Sequence, residues 1–197
     1  MNKQRLVVIT GTSGVGKSTL ARKINSEIGF HNVTSTDTIR EVLRTREDLA
    51  GEGALHRSSF ENAGSSAVEN WKETVEILSE GISSVIFRAK EKIIDLIIEG
   101  VHFFPTKKII SDWKVSGGIA LGIVLYVENL DSHIEMISNR EKHNGKKVEH
   151  YLKNIDRIRD IQSEMISSGN ESGWKLIDIT QEDNAIGIIK HALGEIE

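Results

Sequence analysis

The chain has 197 residues, of which 38% are hydrophobic, and this size and composition suit one domain spanning residues 1–197. Its 25 basic and 29 acidic residues give a formal net charge of −4, which disfavours nucleic acid as a partner and favours a small anionic substrate held by local charges. Cysteine is absent, which excludes disulfides and thiol chemistry. Because no signal peptide is visible and the longest apolar stretch is too short to span a bilayer, we expect a soluble, cytoplasmic protein with no membrane partner.

A phosphate-binding loop is predicted near the N-terminus, between a strand at Arg5–Thr10 and a helix over residues 17–29. Its residues fit the pattern G-x-x-x-x-G-K-[ST], in which glycines let backbone N–H groups turn inward toward a nucleotide's phosphates. We expect ATP here, with Lys17 at the β- and γ-phosphates and the Ser18 hydroxyl on Mg²⁺. The nucleotide-binding residues are Gly11, Thr12, Ser13, Gly14, Val15, Gly16, Lys17, Ser18 and Thr19.

The next segments alternate between strand and helix patterns. A short strand at 32–36 leads to a helix at 39–49, which Thr36 or Asp37 is expected to cap. A Gly- and Ser-rich segment at about 50–67 is typical of a mobile, substrate-covering loop. Apolar residues at helical spacing then predict one long helix over 68–93, followed by a buried strand at 94–98 and a loop marked by Pro105.

The second half continues the alternation. A strand is predicted at 119–127, and a helix capped by Asn129 or Asp131 runs to about Glu141. After a basic segment at 140–147, helical spacing resumes from Tyr151 to Met165, and the chain closes with a strand at 175–179 and a helix at 183–193. Five strands separated by helices predict a three-layer α/β fold of the P-loop NTPase class with a parallel, five-stranded sheet.

Polar residues at the ends of the second and third strands are candidates for phosphoryl-transfer chemistry. Asp37 offers a carboxylate to an acceptor hydroxyl, and Arg40, one helical turn later, offers a guanidinium to an anionic group. The alternative is a helix cap beside a surface arginine. Glu99 is a candidate second ligand for Mg²⁺, and the alternative is a structural acid on a loop. His102 is a candidate substrate contact, although a histidine near a strand end is more often simply packed.

A third source of positive charge follows the fourth strand, in a segment at about 140–159 that we interpret as a lid closing over the transferred phosphate. Arg140 begins it, whereas Lys142, Lys146 and Lys147 fit a solvated face. Arg159 follows the apolar side of the next helix, so it should point inward and require an anion. Lys17, Asp37, Arg140 and Arg159 are therefore the predicted catalytic residues.

Several phrases of the chain together resemble one known family. Residues 35–40, 55–60, 97–102 and 151–162, taken with the phosphate-binding loop, are similar to the kinase domain of archaeal 2-phosphoglycerate kinases. The resemblance implies an adenylate-kinase-like core with strand order 2-3-1-4-5 and a helical lid. It also implies transfer of the ATP γ-phosphoryl group to 2-phosphoglycerate, giving 2,3-bisphosphoglycerate. Members of that family usually carry an N-terminal extension ahead of the kinase domain, whereas the loop here begins at residue 11.

By matching position, the resemblance also assigns residues. It implies that Lys17 and Ser18 hold ATP and Mg²⁺, that Asp37 faces the acceptor hydroxyl, and that phosphates are contacted by Arg40, Arg140 and Arg159.

Other functions remain open from the residues alone. A nucleoside or nucleoside-monophosphate kinase would share the architecture, and a slowly hydrolysing nucleotide switch would share the loop. Residues 48–51 match D-x-x-G, but they follow a predicted helix and no N-K-x-D for guanine is present, which disfavours a GTPase. The negative net charge disfavours a kinase for nucleic-acid ends.

Overall fold

A computed structural model describes residues 3–46, 51–144 and 148–195. Most of the D-x-x-G match, at 48–50, therefore lies outside the described residues, and so do Lys146 and Lys147 of the basic segment. None of the helices in the described ranges is long and apolar enough to cross a membrane.

The sheet has five strands, and every neighbouring pair is parallel. In space the strands follow the order β2-β3-β1-β4-β5, as predicted. Because all strands run the same way, their carboxyl ends meet at one edge of the sheet, where ligands bind in open α/β folds. The strands are β1 (Arg5–Thr10), β2 (Asn32–Ser35), β3 (Leu96–Glu99), β4 (Ile119–Tyr126) and β5 (Lys175–Asp178).

Helices cover both faces of the sheet, which confirms the three-layer architecture. One core cluster joins the sheet to α2, α4, α5 and α8, and the other joins it to α1 and α9. The helices are α1 (Lys17–Ile28), α2 (Thr36–Leu43), α3 (Gly53–His56), α4 (Ala67–Glu91), α5 (Lys107–Val115), α6 (Leu130–Asn144), α7 (Val148–Leu152), α8 (Ile155–Ser172) and α9 (Ala185–Leu193).

Helix α2 begins three residues earlier than predicted, and the predicted end at residue 49 is wrong. Ser35 has extended backbone angles, and its side chain accepts a hydrogen bond from the backbone N–H of Asp37 at 3.2 Å. Ser35 is therefore the cap, in place of Thr36 or Asp37. Since Asp37 then lies in the first turn, its carboxylate is stabilised by the positive end of the helix dipole.

The region around the third strand differs from the prediction in two ways. Strand β3 begins at Leu96 because Ile93 adopts a left-handed turn with φ 54° and the Asp95 carboxylate is bound by Arg5. Helix α5 follows Pro105, where only a loop was predicted, and it buries Trp113 against the core.

The segment predicted as a mobile loop at about 50–67 makes specific contacts with two helices. The Asn70 side chain, fully buried on α4, accepts from the backbone N–H of Ala63 at 2.9 Å and from the Arg157 guanidinium at 2.7 Å. Arg157, on α8, also donates to the carbonyl of Phe60 at 2.8 Å. These contacts fix the position of the segment in the structure, and its mobility stays a prediction.

Candidate active site

The phosphate-binding loop joins β1 to α1 at the carboxyl edge of the sheet. Gly14 and Gly16 have φ angles of 88° and 83°, a left-handed region that glycine occupies without steric cost. Gly16 also precedes the first turn of α1 and makes no side-chain cap, so the first N–H groups of the helix stay available to an anion. The loop therefore has the backbone shape that phosphate binding requires.

The two predicted magnesium ligands lie together beside this loop. The Ser18 hydroxyl donates to Oε1 of Glu99 at 2.9 Å, and Glu99 is nearly buried at the end of β3. Oxygen donors of this kind fit Mg²⁺, which keeps several waters and usually takes one or two carboxylates together with substrate phosphates. Among the described side chains no group of three or more His, Asp or Glu forms an all-protein metal cage. Ser18 and Glu99 thus fit a metal that is shared with a nucleotide.

A cavity of about 310 Å³ opens in front of the loop. It combines three cationic side chains with two carboxylates, which suits an anionic ligand that also needs a proton acceptor and a metal. Seven predicted site residues line it: Ser13, Lys17, Ser18, Asp37, Arg40, Glu99 and Arg140.

Lys17 lies at the floor of the cavity. Its ammonium group donates to the carbonyl of Thr12 at 2.7 Å. Burial lowers the pKa of Lys17 to about 8, although Glu99 and Asp37 act in the opposite direction. The ammonium is therefore still largely charged at neutral pH, and it loses its proton as the pH rises through 8.

The acceptor side of the cavity is formed by α2 and by the end of α6. The Asp37 side chain is 65% exposed and its Oδ1 lies 3.7 Å from a guanidinium nitrogen of Arg40. The Nε of Arg40 is buried and donates no hydrogen bond within the described part of the chain. Arg140, on α6, also lines the cavity, with its guanidinium carbon 5.0 Å from the centre of the Tyr151 ring. Two arginines from separate helices thus line the same cavity as Asp37.

His102 lies next to Asp37 but is not among the residues that line the cavity. Its side chain is fully buried, its Nδ1 is 2.8 Å from the Thr36 hydroxyl, and it does not line the cavity. Burial lowers the pKa of His102 to about 4, with Asp37 opposing the shift. The packed interpretation, which was the alternative for His102, is the one that the contacts support.

Arg159 does not join the other charged residues. Its guanidinium donates to the carbonyls of Val127 at 2.7 Å and Glu128 at 2.8 Å, just beyond β4. Gln162 donates to the same Val127 carbonyl at 3.0 Å. Arg159 was expected to require an anion, and this expectation is wrong: in the structure its guanidinium is satisfied by backbone carbonyl oxygens.

Some cavity residues were missed by the sequence reasoning as site residues. Ser58, Ser59 and Phe60 line the acceptor side, and Tyr151 closes it next to Arg140. The only available signal was that these residues fall within the phrases at 55–60 and 151–162 that resemble the kinase family.

The end of β3 approaches the start of α2 very closely. A Cβ atom added to Gly100 would lie 1.8 Å from the Thr36 hydroxyl oxygen, a distance that real atoms do not reach. Only glycine fits here without displacing α2, which carries Asp37 and Arg40.

The chain is similar to known proteins over most of its length. The protein family described as an AAA domain matches residues 7–164, which include the loop, the carboxylates and Arg140. The chain belongs to this family. Two relatives named 2-phosphoglycerate kinase match most of the chain, which confirms the resemblance inferred from the sequence. The one from Thermococcus kodakarensis is 28% identical over 198 residues, and the one from Pyrococcus furiosus is 26% identical over 201 residues.

The matches cover 95% and 96% of this chain but only 66% and 64% of those two relatives, so the chain spans slightly less than two thirds of their length. Among solved structures, shikimate kinase from Acinetobacter baumannii superposes with a TM-score of 0.58 at 12% identity, covering 98% of this chain and 94% of that one. This likeness shows that the chain has the P-loop kinase fold.

Proposed function

We propose that the protein is an ATP-dependent kinase that phosphorylates the hydroxyl of a small phosphorylated hydroxy acid, with 2-phosphoglycerate as acceptor and 2,3-bisphosphoglycerate as product. The observation that carries the proposal is the composition of the cavity. Lys17 and the loop line it together with Asp37, and two further guanidiniums, Arg40 beside Asp37 and Arg140 on α6, line it as well. The names of the relatives support the choice of acceptor.

On the donor side, the backbone N–H groups of the loop and the Lys17 ammonium bind the phosphates of ATP and stabilise the charge that shifts toward the leaving oxygen. Ser18 and Glu99 would hold Mg²⁺, which neutralises phosphate charge when it is bound. Phosphoryl transfer demands mainly positioning and charge stabilisation, and these residues supply both.

On the acceptor side, Asp37 accepts the proton of the attacking hydroxyl. The hydroxyl oxygen forms a bond to the γ-phosphorus while the bond from that phosphorus to the β,γ-bridging oxygen breaks, so the electron pair leaves with ADP. Arg40 and Arg140 bind the anionic groups of the acceptor or the transferred phosphoryl group. Since two guanidiniums line the same cavity as the Asp37 carboxylate, an acceptor that carries both a hydroxyl and negative charge fits better than a neutral one.

The experiment is a coupled assay of ADP release with ATP and Mg²⁺. We expect release to depend on 2-phosphoglycerate and to be at least about tenfold weaker with glycerate, the same acid without its phosphate, because that acceptor cannot use the arginines fully. A panel of nucleosides and nucleoside monophosphates is run alongside. If the panel stimulates release and no phosphorylated three-carbon acid does, the acceptor assignment is wrong and a nucleoside-type kinase replaces it.

A further inference from the structure

Helix α6 packs one face directly against the phosphate-binding loop. His133 Nε2 lies 2.8 Å from the carbonyl oxygen of Ser13. One turn later, Ile137 packs on Gly14 so closely that an added Cβ there would lie 2.4 Å from Ile137 Cγ1. One turn further on the same face, Arg140 lines the cavity. The helix therefore contacts both the loop and the acceptor side of the site.

The chemistry of the His133 contact defines its direction. A carbonyl oxygen only accepts hydrogen bonds, so Nε2 carries the hydrogen and donates it to Ser13. His133 is fully buried, and its Nδ1 has no hydrogen-bond partner within the residues that the structure describes. Burial lowers the pKa of His133, the bond to Ser13 opposes this, and the positive charges of Arg159, Lys17 and Arg140 lower the pKa further. The imidazole is therefore neutral at physiological pH, with its one hydrogen on the loop side.

The Ser13 carbonyl belongs to the same peptide unit as the Gly14 N–H. In a planar trans peptide these two groups point in opposite directions. Holding the carbonyl toward α6 therefore directs the Gly14 N–H away from α6, into the concave side of the loop. Gly14 has a φ of 88° and glycine has the widest conformational freedom, so this peptide can rotate unless a side chain holds it.

We propose that His133 is a positioning residue for the nucleotide, whose Nε2–H fixes the Ser13–Gly14 peptide so that the Gly14 N–H stays directed at the phosphates. The assignment rests on the nucleotide-binding half of the proposed function and is independent of the acceptor. It also gives a reason for an imidazole with a bare, buried Nδ1 at this position. An apolar residue would pack in the same space without any unpaired nitrogen, but it would leave the Ser13 carbonyl without its donor.

The test compares His133→Phe with His133→Gln by calorimetric titration with ADP and Mg²⁺. Phenylalanine fills the space but cannot donate, so we expect affinity for ADP to fall on the order of 10- to 100-fold. Glutamine retains an N–H donor and should recover most of that loss. The KM for the phosphoryl acceptor should stay within about threefold of wild type in both variants, because the effect acts through the loop. Glu135→Gln, an exposed position on the same helix, is the matched control and should leave ADP affinity unchanged.

Wild-type protein labelled with ¹⁵N-histidine provides a measurement that does not depend on the variants folding. Its NMR spectrum should show His133 protonated on Nε2 and bare on Nδ1 between pH 6 and 8. The opposite tautomer overturns the assignment, and so does ADP affinity within threefold of wild type in His133→Phe, or an equal loss in both variants. If ADP binding follows the expected pattern while 2-phosphoglycerate gives no turnover, the acceptor assignment fails and the role of His133 stands.

Discussion

The two sides of the cavity are built in different ways. The donor side is shaped mainly by one continuous stretch of backbone: Gly14 and Val15 are buried, and left-handed glycines and the first turn of α1 give the loop its shape. The acceptor side consists of side chains on separate elements, such as the largely exposed Asp37 on α2, Arg140 at the end of α6 and Ser59 before α4. Under the proposed function, a phosphate common to every nucleotide would be bound by local backbone geometry, whereas the acceptor would be bound by groups that only tertiary packing brings together.

The largest difference between the two sides should come from the donor lysine. We expect Lys17→Ala to lower turnover with ATP and 2-phosphoglycerate by about 10³-fold, because it removes the buried positive charge that faces the phosphates. The melting temperature should change by only a few degrees, and the exposed Lys23→Ala on α1 serves as the control. Unchanged turnover would remove Lys17 from the mechanism.

Asp37 tests the acceptor side. Asp37→Asn keeps the shape of the side chain but cannot take a proton, so kcat should fall on the order of 10²- to 10³-fold while the KM for ATP changes little. Steady-state kinetics with each substrate varied in turn measures both values. The control is Asp112→Asn, the same substitution at an exposed carboxylate that pairs with Lys108 on α5. A rise in the KM for ATP as large as the loss in kcat would show that Asp37 belongs with the donor side.

Comparing Arg140 with Arg159 distinguishes a residue of the site from a residue that supports the fold. Arg140→Ala should lower turnover about 10²-fold, because the residue lines the cavity. Arg159→Ala should cost less than about tenfold in turnover, but should lower stability by about 1–3 kcal/mol, since the Glu128 carbonyl loses its guanidinium donor and the Val127 carbonyl keeps only the donor from Gln162. Thermal melts and kinetics on both variants decide. If Arg159→Ala lowers turnover 10²-fold or more, Arg159 contacts a phosphate during the reaction and is not only structural.

The smallest expected effect concerns the segment that closes the acceptor side. Asn70→Ala removes the amide oxygen that receives the Ala63 N–H and the Arg157 guanidinium. We expect the KM for 2-phosphoglycerate to rise about tenfold and the affinity for ADP to stay constant. Asn62→Ala, at an exposed position of the same segment, is the control. Equal losses of ADP and acceptor affinity would mean that the segment supports the whole site.

Much of the donor side could be predicted because its information is local. The loop motif gives Lys17 and Ser18, and the rule that ligands bind at the carboxyl ends of parallel strands selects Glu99. The structure places Ser18 and Glu99 in hydrogen-bond contact, as that reasoning requires. The beginning of α2 was misplaced by three residues, but Asp37 still reached the cavity because it follows the adjacent strand.

The rest depended on packing that the sequence does not encode locally. The apolar periodicity of α8 predicts that Arg159 points inward. It does not predict whether the guanidinium meets a phosphate or, as in the structure, the carbonyls beyond β4. Ser59 and Phe60 carry no motif, and they reach the cavity because Arg157 and Asn70 hold their segment from elsewhere in the chain. Helix α5 was not predicted. Ile109, Ile110 and Trp113 have helical spacing, but Pro105 just ahead of them favours a loop.

The contact between Gly100 and Thr36 sets how closely the end of β3 approaches the start of α2. Glu99 and Gly100 are adjacent, so the strand that carries the carboxylate beside Ser18 also touches the first residue of the helix that carries Asp37. A single methyl group at position 100 would push that helix outward, and phosphoryl transfer depends steeply on the distance between the reacting atoms. In the proposed kinase, the distance between the two substrates would thus depend on the lack of a side chain at Gly100, a residue that is not among those lining the cavity.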